Sequence, residues 1–437
     1  MKAFIRTYGC QMNEHDSFRM MEILSQIGYE STDNMAEASL IVINTCSVRA
    51  NPENKVYSFL GALEDAKKQN PDLIVGVAGC VAQQQGEVIL KRSPLVDLVF
   101  GPDNFFRLPE MLEAVKSGRR LVMTDWQPGR ERVQNFIPEE WLTYGHVDGV
   151  RASIAISKGC NNFCSFCIVP STRGREVCRE AENILEEARD LLAKGAKEIW
   201  LLGQNVNSYK AGTFEFYDLL SAVSDLPIPR IRFTSPHPKD WDNRLSDLMA
   251  ERPNICSQLH LPLQSGSDRI LELMRRRHTI GEYLDKVAYM KSVNPAMELS
   301  TDIIVGYPSE TEAEFEQTLA AMREVGFGQV FSFKYSPRPG TRAAQLDDDV
   351  PRQVKEERLA RLIALQDEIN AERMAAYVGT VQDVLIEGHH PKQKDILSAR
   401  TDGYRPVSLP EAGCAVGDMV QVRITGARGH WLFGERV

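Results

Sequence analysis

Short apolar runs rich in β-branched residues recur along the first 335 or so residues of this 437-residue chain, with a helix-length amphipathic segment between most successive runs. Strands separated by a whole helix cannot pair as hairpins. They pair in parallel, through right-handed crossovers that lay the helices on the sheet faces. The predicted strands are 2–8, 40–44, 73–77 and 96–100, then 152–157, 197–202, 230–234, 257–262, 298–305 and 329–335. After the first strand, Phe18, Met21, Leu24 and Ile27 follow at helical spacing. Asn51, Pro52 and Glu53 read as an N-cap, a first-position proline and a first-turn acid. Residues 1–117 therefore predict a doubly wound parallel sheet. The six later strand–helix units are too few to close an eight-stranded barrel, so residues 150–373 predict a partial, open (β/α)6 barrel that ends in a helix near 352–375.

Residues 118–149 break the rhythm with Gly118, Pro128, Gly129, Pro138 and Gly145 and read as an irregular linker. Residues 374–437 change character again: the strand-like runs 381–386, 405–407, 419–424 and 431–434, separated by Gly, Pro and Asp turns, predict a small all-β barrel. The chain thus exceeds what one core supports. Its longest apolar stretch, 73–82, is far short of the ~20 residues that span a bilayer. The N-terminus reads as a strand and lacks the apolar segment and cleavage site of a secretion signal. These features predict a cytoplasmic protein with no membrane partner. The formal charge is −9, and the last module, with seven basic and seven acidic residues, is neutral. A polyanionic partner is not excluded, because screening over about 8 Å lets a local basic surface act despite the total.

Nine cysteines without a secretory signal argue for metal or catalytic use over disulfides. Cys160, Cys164 and Cys167 follow the first barrel strand in Ser157-Lys-Gly-Cys-Asn-Asn-Phe-Cys-Ser-Phe-Cys. Soft thiolates at this spacing suit an iron–sulfur cluster or zinc. Zinc wants a fourth ligand, and Cys178, the nearby candidate, has no paired spacing. Three ligands on a 4Fe–4S cube leave one iron open to a reacting cofactor. Cys10, Cys46 and Cys80 each come just after a predicted parallel strand, in Tyr8-Gly-Cys, Asn44-Thr-Cys and Ala78-Gly-Cys. Strand carboxyl ends line one crevice, so these sulfurs converge on a second cluster, against the blander alternative of three buried apolar cysteines. Cys178, Cys256 and Cys414 read as bystanders. His237 and His260 stand at strand ends, as packed or hydrogen-bonded groups in preference to ligands. The run Arg275-Arg-Arg-His278 is a solvated helix face or a contact for RNA phosphate.

The Cys160/Cys164/Cys167 spacing, with Phe166 before the last cysteine, resembles the signature of the radical S-adenosylmethionine superfamily. The whole chain resembles one family within it, the methylthiotransferases. The motifs that carry this are Tyr8-Gly-Cys-Gln-Met-Asn-Glu-His-Asp-Ser17, Asn44-Thr-Cys-Ser-Val-Arg49, Gly79-Cys-Val-Ala-Gln83, and the stretch from Gly159 to Arg175 with its Ser171-Thr-Arg-Gly-Arg. Leu201-Leu-Gly-Gln-Asn-Val-Asn207, His260-Leu-Pro-Leu-Gln-Ser-Gly-Ser267, Asp302-Ile-Ile-Val-Gly306 and Ser336-Pro-Arg-Pro-Gly-Thr341 complete the set. Cys178, Glu180 and Ser235-Pro236 depart from the family's pattern.

Cys10-Gln-Met-Asn13 is similar to the MiaB-type tRNA branch. The resemblance implies a C-terminal TRAM domain that binds RNA and a substrate tRNA carrying N6-isopentenyladenosine beside the anticodon. It also implies two 4Fe–4S clusters, two equivalents of S-adenosylmethionine, and radical insertion of a methylthio group at carbon 2. The rivals are methylthiotransferases acting on ribosomal protein S12 or on threonylcarbamoyladenosine, and a non-catalytic iron–sulfur carrier that binds RNA. The chemistry falls to clusters and cofactor, with no side chain as the catalyst. Expected cofactor contacts are Phe166 (or simple packing), Gly203, Gln204, Asn205, Gln264, Ser265 and Asp302. Expected substrate contacts are Asn13, Arg173, Arg175 and Tyr404, with Tyr404 and Trp431 alternatively filling the small barrel's core. An external electron donor and a monomeric state complete these expectations.

Overall fold

The computed structural model describes residues 1–47, 50–126, 145–411 and 413–437. Val48 and Arg49 of one motif, and Pro128, Gly129 and Pro138 of the expected linker, lie outside the described residues. The chain divides into two compact units. One comprises Met1–Tyr144, Ser157–Phe163 and Cys167–Arg179; the other comprises Gly145–Ile156, Cys164–Phe166 and Glu180–Val437.

The first unit is built on a six-stranded parallel sheet in the order Glu30–Ser31, Lys2–Tyr8, Leu40–Thr45, Ile74–Gly79, Leu98–Phe100, Leu121–Met123. Alternate residues of each central strand serve opposite faces. Ile41, Ile43, Val75 and Val77 pack with Val56, Leu60, Val81 and Ile89. Leu40, Val42, Ile74 and Ala78 pack with Met20, Leu24, Leu108 and Met111. Burial on both faces explains why these strands are continuous apolar runs. The helix Ala50–Ala62 begins before Asn51, which therefore lies inside its first turn, and the side chains of the expected cap fall outside the described residues. The two edge strands were not expected, and Leu121–Met123 corrects the linker: it extends the sheet at residues read as irregular. Strands of two or three residues take their register from a neighbour and carry too little pattern to be read alone.

In the second unit, parallel strands form two sheets. Arg151–Ala155, Glu198–Leu202 and Arg230–Phe233 make one, and Gln258–His260, Glu298–Val305 and Gln329–Lys334 the other. A parallel bridge between Ile231 and Ile255 joins them. Among the described residues no ladder connects the first strand to the last, so this is the open six-stranded barrel that the unit count required. Val147–Asp148 pairs antiparallel with Arg151–Ala155 and covers its free edge. Along Glu298–Val305, Thr301, Ile303 and Val305 are buried, while the alternate residues Ser300, Asp302 and Ile304 are half-buried.

The long helix Arg352–Tyr377 leads into a closed antiparallel-rich barrel ordered Val381–His390, Gln393–Thr401, Pro406–Pro410, Trp431–Arg436, Met419–Arg428. Its core is Val384, Ile386, Leu397, Ala399, Val407, Leu409, Val422, Ile424 and Leu432. The strand Gln393–Thr401 was missed in the sequence because its inward positions include small or polar residues such as Ala399 and Thr401.

A buried belt of charge fastens this small barrel to the starts of the larger barrel's strands. Arg230 donates to the Arg400 and Asp383 carbonyls at 2.7 and 2.8 Å. Arg232 donates to Glu198 at 2.7 Å and to the Asp402 carbonyl at 2.8 Å. Glu298 accepts from Arg405 at 3.0 Å, Arg373 at 2.5 Å and Tyr377 at 2.8 Å. Burial opposes the charge on Glu198, yet Arg232 and Arg151 hold its carboxyl below the usual range. Truncating one partner of such a buried pair leaves the other uncompensated, a loss of about 3–5 kcal/mol. Arg232→Ala is therefore expected to lower the unfolding free energy of the full chain by that amount, read as a lower urea midpoint; an unchanged midpoint would show that the belt does not hold the barrels.

Candidate metal and cofactor site

The sheet order of the first unit has its topological switch point between Lys2–Tyr8 and Leu40–Thr45: the chain leaves the first strand toward one edge and returns on the other side. A crevice opens beyond the strand carboxyl ends at such a point, and the first cysteine triad stands there. Cys10 caps the helix Gln11–Gln26, its carbonyl accepting from Asn13 and Glu14 at 2.8 and 3.2 Å. Cys46 follows its strand directly and donates its backbone N–H to Tyr8 at 2.9 Å. Cys80 is the first residue of the helix Cys80–Arg92. Two glycines allow the approach. A Cβ on Gly9 would lie 2.6 Å from Cys46 Cβ, and one on Gly79, at φ +89°, would lie 2.4 Å from Asn44 Oδ1 and 2.5 Å from the Thr45 carbonyl.

The three sulfurs face one another. Cys46 hydrogen-bonds to both Cys10 and Cys80, and this, with its burial, pushes its thiol far above the ordinary range. The same hydrogen bond, with the Arg173 cation nearby, brings Cys10 down to about 7 and Cys80 to about 6. Arg173 is buried and donates to Asp16 at 2.7 Å. Burial opposes the charge on Asp16, but Arg173 keeps its carboxyl ionised. A polar scaffold fixes the crevice: Asn13 donates to Asn44 Oδ1 at 3.0 Å, and Asn44 donates to the Asn13 carbonyl and to Ser17, both at 2.8 Å. Thiolates with a positive neighbour at a strand-end crevice are the donor chemistry an iron–sulfur cluster requires. Among the described residues, no group of three or more His, Cys, Asp or Glu is arranged as a site for a single metal ion.

The second triad lies on the loop after Arg151–Ala155. Cys160 and Cys167 belong to the first unit and Cys164 to the second. In the first, Gly159 takes φ +75°, where a Cβ would meet the Arg175 carbonyl at 2.0 Å, and Cys160 Sγ accepts from the Asn162 N–H at 3.4 Å. In the second, Ser165 donates its N–H to the Met274 carbonyl at 3.0 Å and its hydroxyl to the Leu273 carbonyl at 2.8 Å. Cys164 Sγ accepts from Arg276 at 3.6 Å. Cys160 and Cys164 thus each accept a hydrogen bond at sulfur.

Several expected contacts are reassigned. Asn13 is fully buried and braces Cys10 and Asn44, so it is not a substrate contact. Arg173 is committed to Asp16 and the thiolates and cannot serve as a surface anchor for RNA. Arg175 is exposed, 4.3 Å over the Phe163 ring. Tyr404 is half-buried in the charged belt, edge-on to Trp200 at 5.2 Å and 4.1 Å from the Arg400 guanidinium, and does not belong to the small barrel's core. Trp431 is 39% exposed beside Phe433 at 42%, because alternate residues of the last strand point outward.

Phe166 packs on Ile270, Met274, Tyr307, Tyr335 and Ala343. Asn205 spends its amide on Asp240 and on the His237 N–H, which Asn207 also accepts, so this pair clamps a loop and leaves cofactor contact to other groups. Gly203 is buried at its strand end and Gln204 half-buried. Gln264, at φ +77°, continues a parallel bridge to Ile303. Ser265 is fully buried and accepts from the Ser267 N–H. Asp302 lies 3.4 Å from His260, whose other nitrogen meets Ser300 at 3.0 Å. His237 accepts from the Lys239 N–H, so both histidines are hydrogen-bonded groups.

The run 275–278 is not a helix face. Its helix ends at Leu273, after which Arg275 and Arg277 are exposed and Arg276 and His278 buried. Burial and the Arg276 charge bring His278 down to about 4. Asp16, Asn44 and Arg276 were not singled out. Asn44 and Asp16 had a signal, being polar residues in otherwise apolar or helical surroundings beside the cysteines; Arg276 was hidden among like neighbours.

Comparisons with known proteins follow the same division. Residues 2–101 match a model described as "Uncharacterized protein family UPF0004", residues 154–322 "Radical SAM superfamily", and residues 375–437 "TRAM domain". A Bacillus subtilis protein named tRNA-2-methylthio-N(6)-dimethylallyladenosine synthase is 44% identical over 442 residues, covering 100% of this chain and 86% of that protein. A Burkholderia thailandensis protein of the same name is 43% identical over 449 residues, covering 100% and 97%. Among solved structures, the radical S-adenosylmethionine methyltransferase TsrM of Kitasatospora setae shares the fold, with TM-score 0.59 and 16% identity over 78% of this chain and 75% of that one.

Gly79→Ala tests the crevice. Its backbone, φ +89° with ψ −159°, is a region that side chains avoid at a cost of about 1–3 kcal/mol. The variant is expected to unfold at correspondingly lower urea, and wild-type stability would mean that the close approach is dispensable.

Proposed function

The chain belongs to the family of tRNA-2-methylthio-N(6)-dimethylallyladenosine synthases, and from that membership we propose how its residues divide the work. It is a radical S-adenosylmethionine methylthiotransferase that adds a methylthio group to N6-dimethylallyl- (isopentenyl-) adenosine in tRNA. The family makes a 4Fe–4S cluster and S-adenosylmethionine its cofactors. Its relatives' shared name weighs against the S12, threonylcarbamoyladenosine and carrier readings.

Carbon 2 of adenine carries an unactivated C–H that no side-chain base removes at neutral pH. Bound together, a reduced cluster and S-adenosylmethionine supply a carbon radical able to take that hydrogen; the protein binds and orients. In our reading Cys160, Cys164 and Cys167 hold this cluster, leaving one iron for the cofactor. Cys10, Cys46 and Cys80 would hold a second cluster, which when bound would supply the sulfur of the transferred group, a second S-adenosylmethionine being the source of its methyl. The observation that carries the second centre is the Cys46 thiol hydrogen-bonded to both Cys10 and Cys80, three thiols from adjacent strand ends, two of them lowered toward thiolate. Arg173 offsets their charge while Asp16 keeps that cation in place. Phe166, Gly203, Gln204, Gln264 and Asp302 remain candidates for the cofactor.

On the small barrel, outward Trp431 and Phe433 offer faces on which unpaired bases stack, each worth about 1–3 kcal/mol. Exposed Arg175 is a candidate for phosphate. An external one-electron donor reduces the cluster. Among the described residues no helix is long and apolar enough to cross a membrane, and we place the enzyme, as a monomer, in the cytoplasm with its tRNA.

Anaerobic reconstitution should load about eight irons per chain, two cubanes. Cys46→Ala should lower this to about four, preserve cleavage of S-adenosylmethionine, and abolish formation of the methylthio nucleoside measured by mass spectrometry of tRNA digests. Undiminished formation would refute the role of the front triad. Trp431→Ala should weaken tRNA binding about 5- to 100-fold, the equivalent of one lost base stack, without changing the unfolding midpoint; unaltered affinity would remove it from the interface.

A further inference from the structure

The helix Asp268–Leu273 ends in a Schellman turn: the Arg276 N–H bonds to the Leu271 carbonyl and the Arg275 N–H to the Glu272 carbonyl, each at 2.9 Å. The left-handed position of such a turn is usually glycine, but here Arg275 occupies it at φ +58°, and Arg277 is left-handed as well at φ +56°. Two reversals around one residue turn its side chain opposite to its neighbours. Arg275 and Arg277 face solvent, and Arg276, 5% exposed, faces inward.

Inward, its Nη2 donates to the Pro262 carbonyl at 2.5 Å and its Nη1 to Cys164 Sγ at 3.6 Å. The contact is braced from the other side, since Ser165, next to Cys164, is tied to the carbonyls of Leu273 and Met274. His278 donates from Nδ1 to the Arg276 carbonyl at 3.1 Å and fixes the far end of the turn. Arg276 Nε has no partner among the described residues, so a further donor remains at the same place.

Resting on the assignment of Cys164 as a cluster ligand, we infer that Arg276 is a positioning residue that sets the reduction potential of the radical-generating cluster. The cluster gains one electron, and one negative unit, when an external donor reduces it from the 2+ to the 1+ state while that donor loses one. A fixed guanidinium on a ligating sulfur stabilises the more negative state, and hydrogen bonds to the sulfurs are a recognised determinant of such potentials. The burial and bracing make the effect constant: Arg276 cannot swing away to a surface acid.

The test uses the full chain, reconstituted anaerobically, titrated with titanium(III) citrate and followed by electron paramagnetic resonance, the relevant signal being the one that Cys164→Ala removes. Arg276→Gln is expected to lower the reduction equilibrium constant at least tenfold, 59 mV for a one-electron couple, with iron content retained. Arg276→Lys, which keeps the charge without the planar fork, should fall between, and Arg275→Ala, a solvent-facing neighbour, should titrate as the wild type does. If Arg276→Gln titrates within twofold of wild type, the inference is overturned while the cluster assignment stands. If no signal depends on Cys164, the assignment itself fails. Should Arg276→Gln not assemble its cluster, Arg276→Lys carries the comparison, and there a wild-type potential overturns the inference.

Discussion

Parallel strands deliver all their carboxyl ends to one edge of a sheet, and in the first unit that edge determines where thiols can meet. The first strand and the strand Leu40–Thr45 send their connections to opposite sides, which opens a crevice between them. Cys10, Cys46 and Cys80 stand one or two residues beyond successive strands, so residues 70 positions apart in sequence become neighbours through topology alone. Glycine at 9 and 79 makes the approach close enough, because a Cβ at either would occupy space already filled by Cys46, Asn44 or Thr45. The convergence depends on the sheet being parallel and on its order; an antiparallel pair would send alternate cysteines to opposite ends.

Two buried groups of charge stand out among the described residues. Around the triad, Arg173 serves the thiolates and Asp16 serves Arg173. At the base of the larger barrel, Arg232 holds Glu198 and also donates to the Asp402 carbonyl of the small barrel, while Arg373 and the small barrel's Arg405 hold Glu298 and donate to the Gly326 and Gly328 carbonyls of the larger one. Buried ion pairs seldom add net stability over well-packed apolar groups, and their contribution lies more in fixing one arrangement. In one place the arrangement fixed is a set of sulfurs, in the other the seat of the small barrel.

Much of this was legible in the residues. The core strands of both parallel sheets fall within two residues of their expected positions, because burial on both faces writes an unbroken apolar run. The edge strands Glu30–Ser31 and Leu121–Met123 were not legible, since a short edge takes its conformation from the neighbour it joins. Nor was the strand Gln393–Thr401, whose inward side includes Ala399 and Thr401. The cysteines could be grouped from their places after strands, but their supports could not. Asn13 and Asn205 look from sequence like contacts for a ligand, and their side chains bond within the protein, to Asn44 and to the His237 loop. Polar residues near a site serve either purpose, and only their partners distinguish the two. Arg276 fails for a different reason: three successive arginines read as one surface, and nothing in their order announces that two left-handed residues will turn the middle one inward.

The small barrel is bolted to the starts of the larger barrel's strands, whereas Cys164 and Arg276 stand beyond their ends. These two addresses are separated by the length of a strand, roughly 25 Å for the eight residues of Glu298–Val305. An RNA gripped at one address and altered at the other must bridge that interval along the outside of the barrel. With the RNA held by the small barrel and reacting beside Cys164, the fold would act as a caliper: a nucleotide would qualify not only by its chemical identity but by how far it lies from the part of the molecule being held.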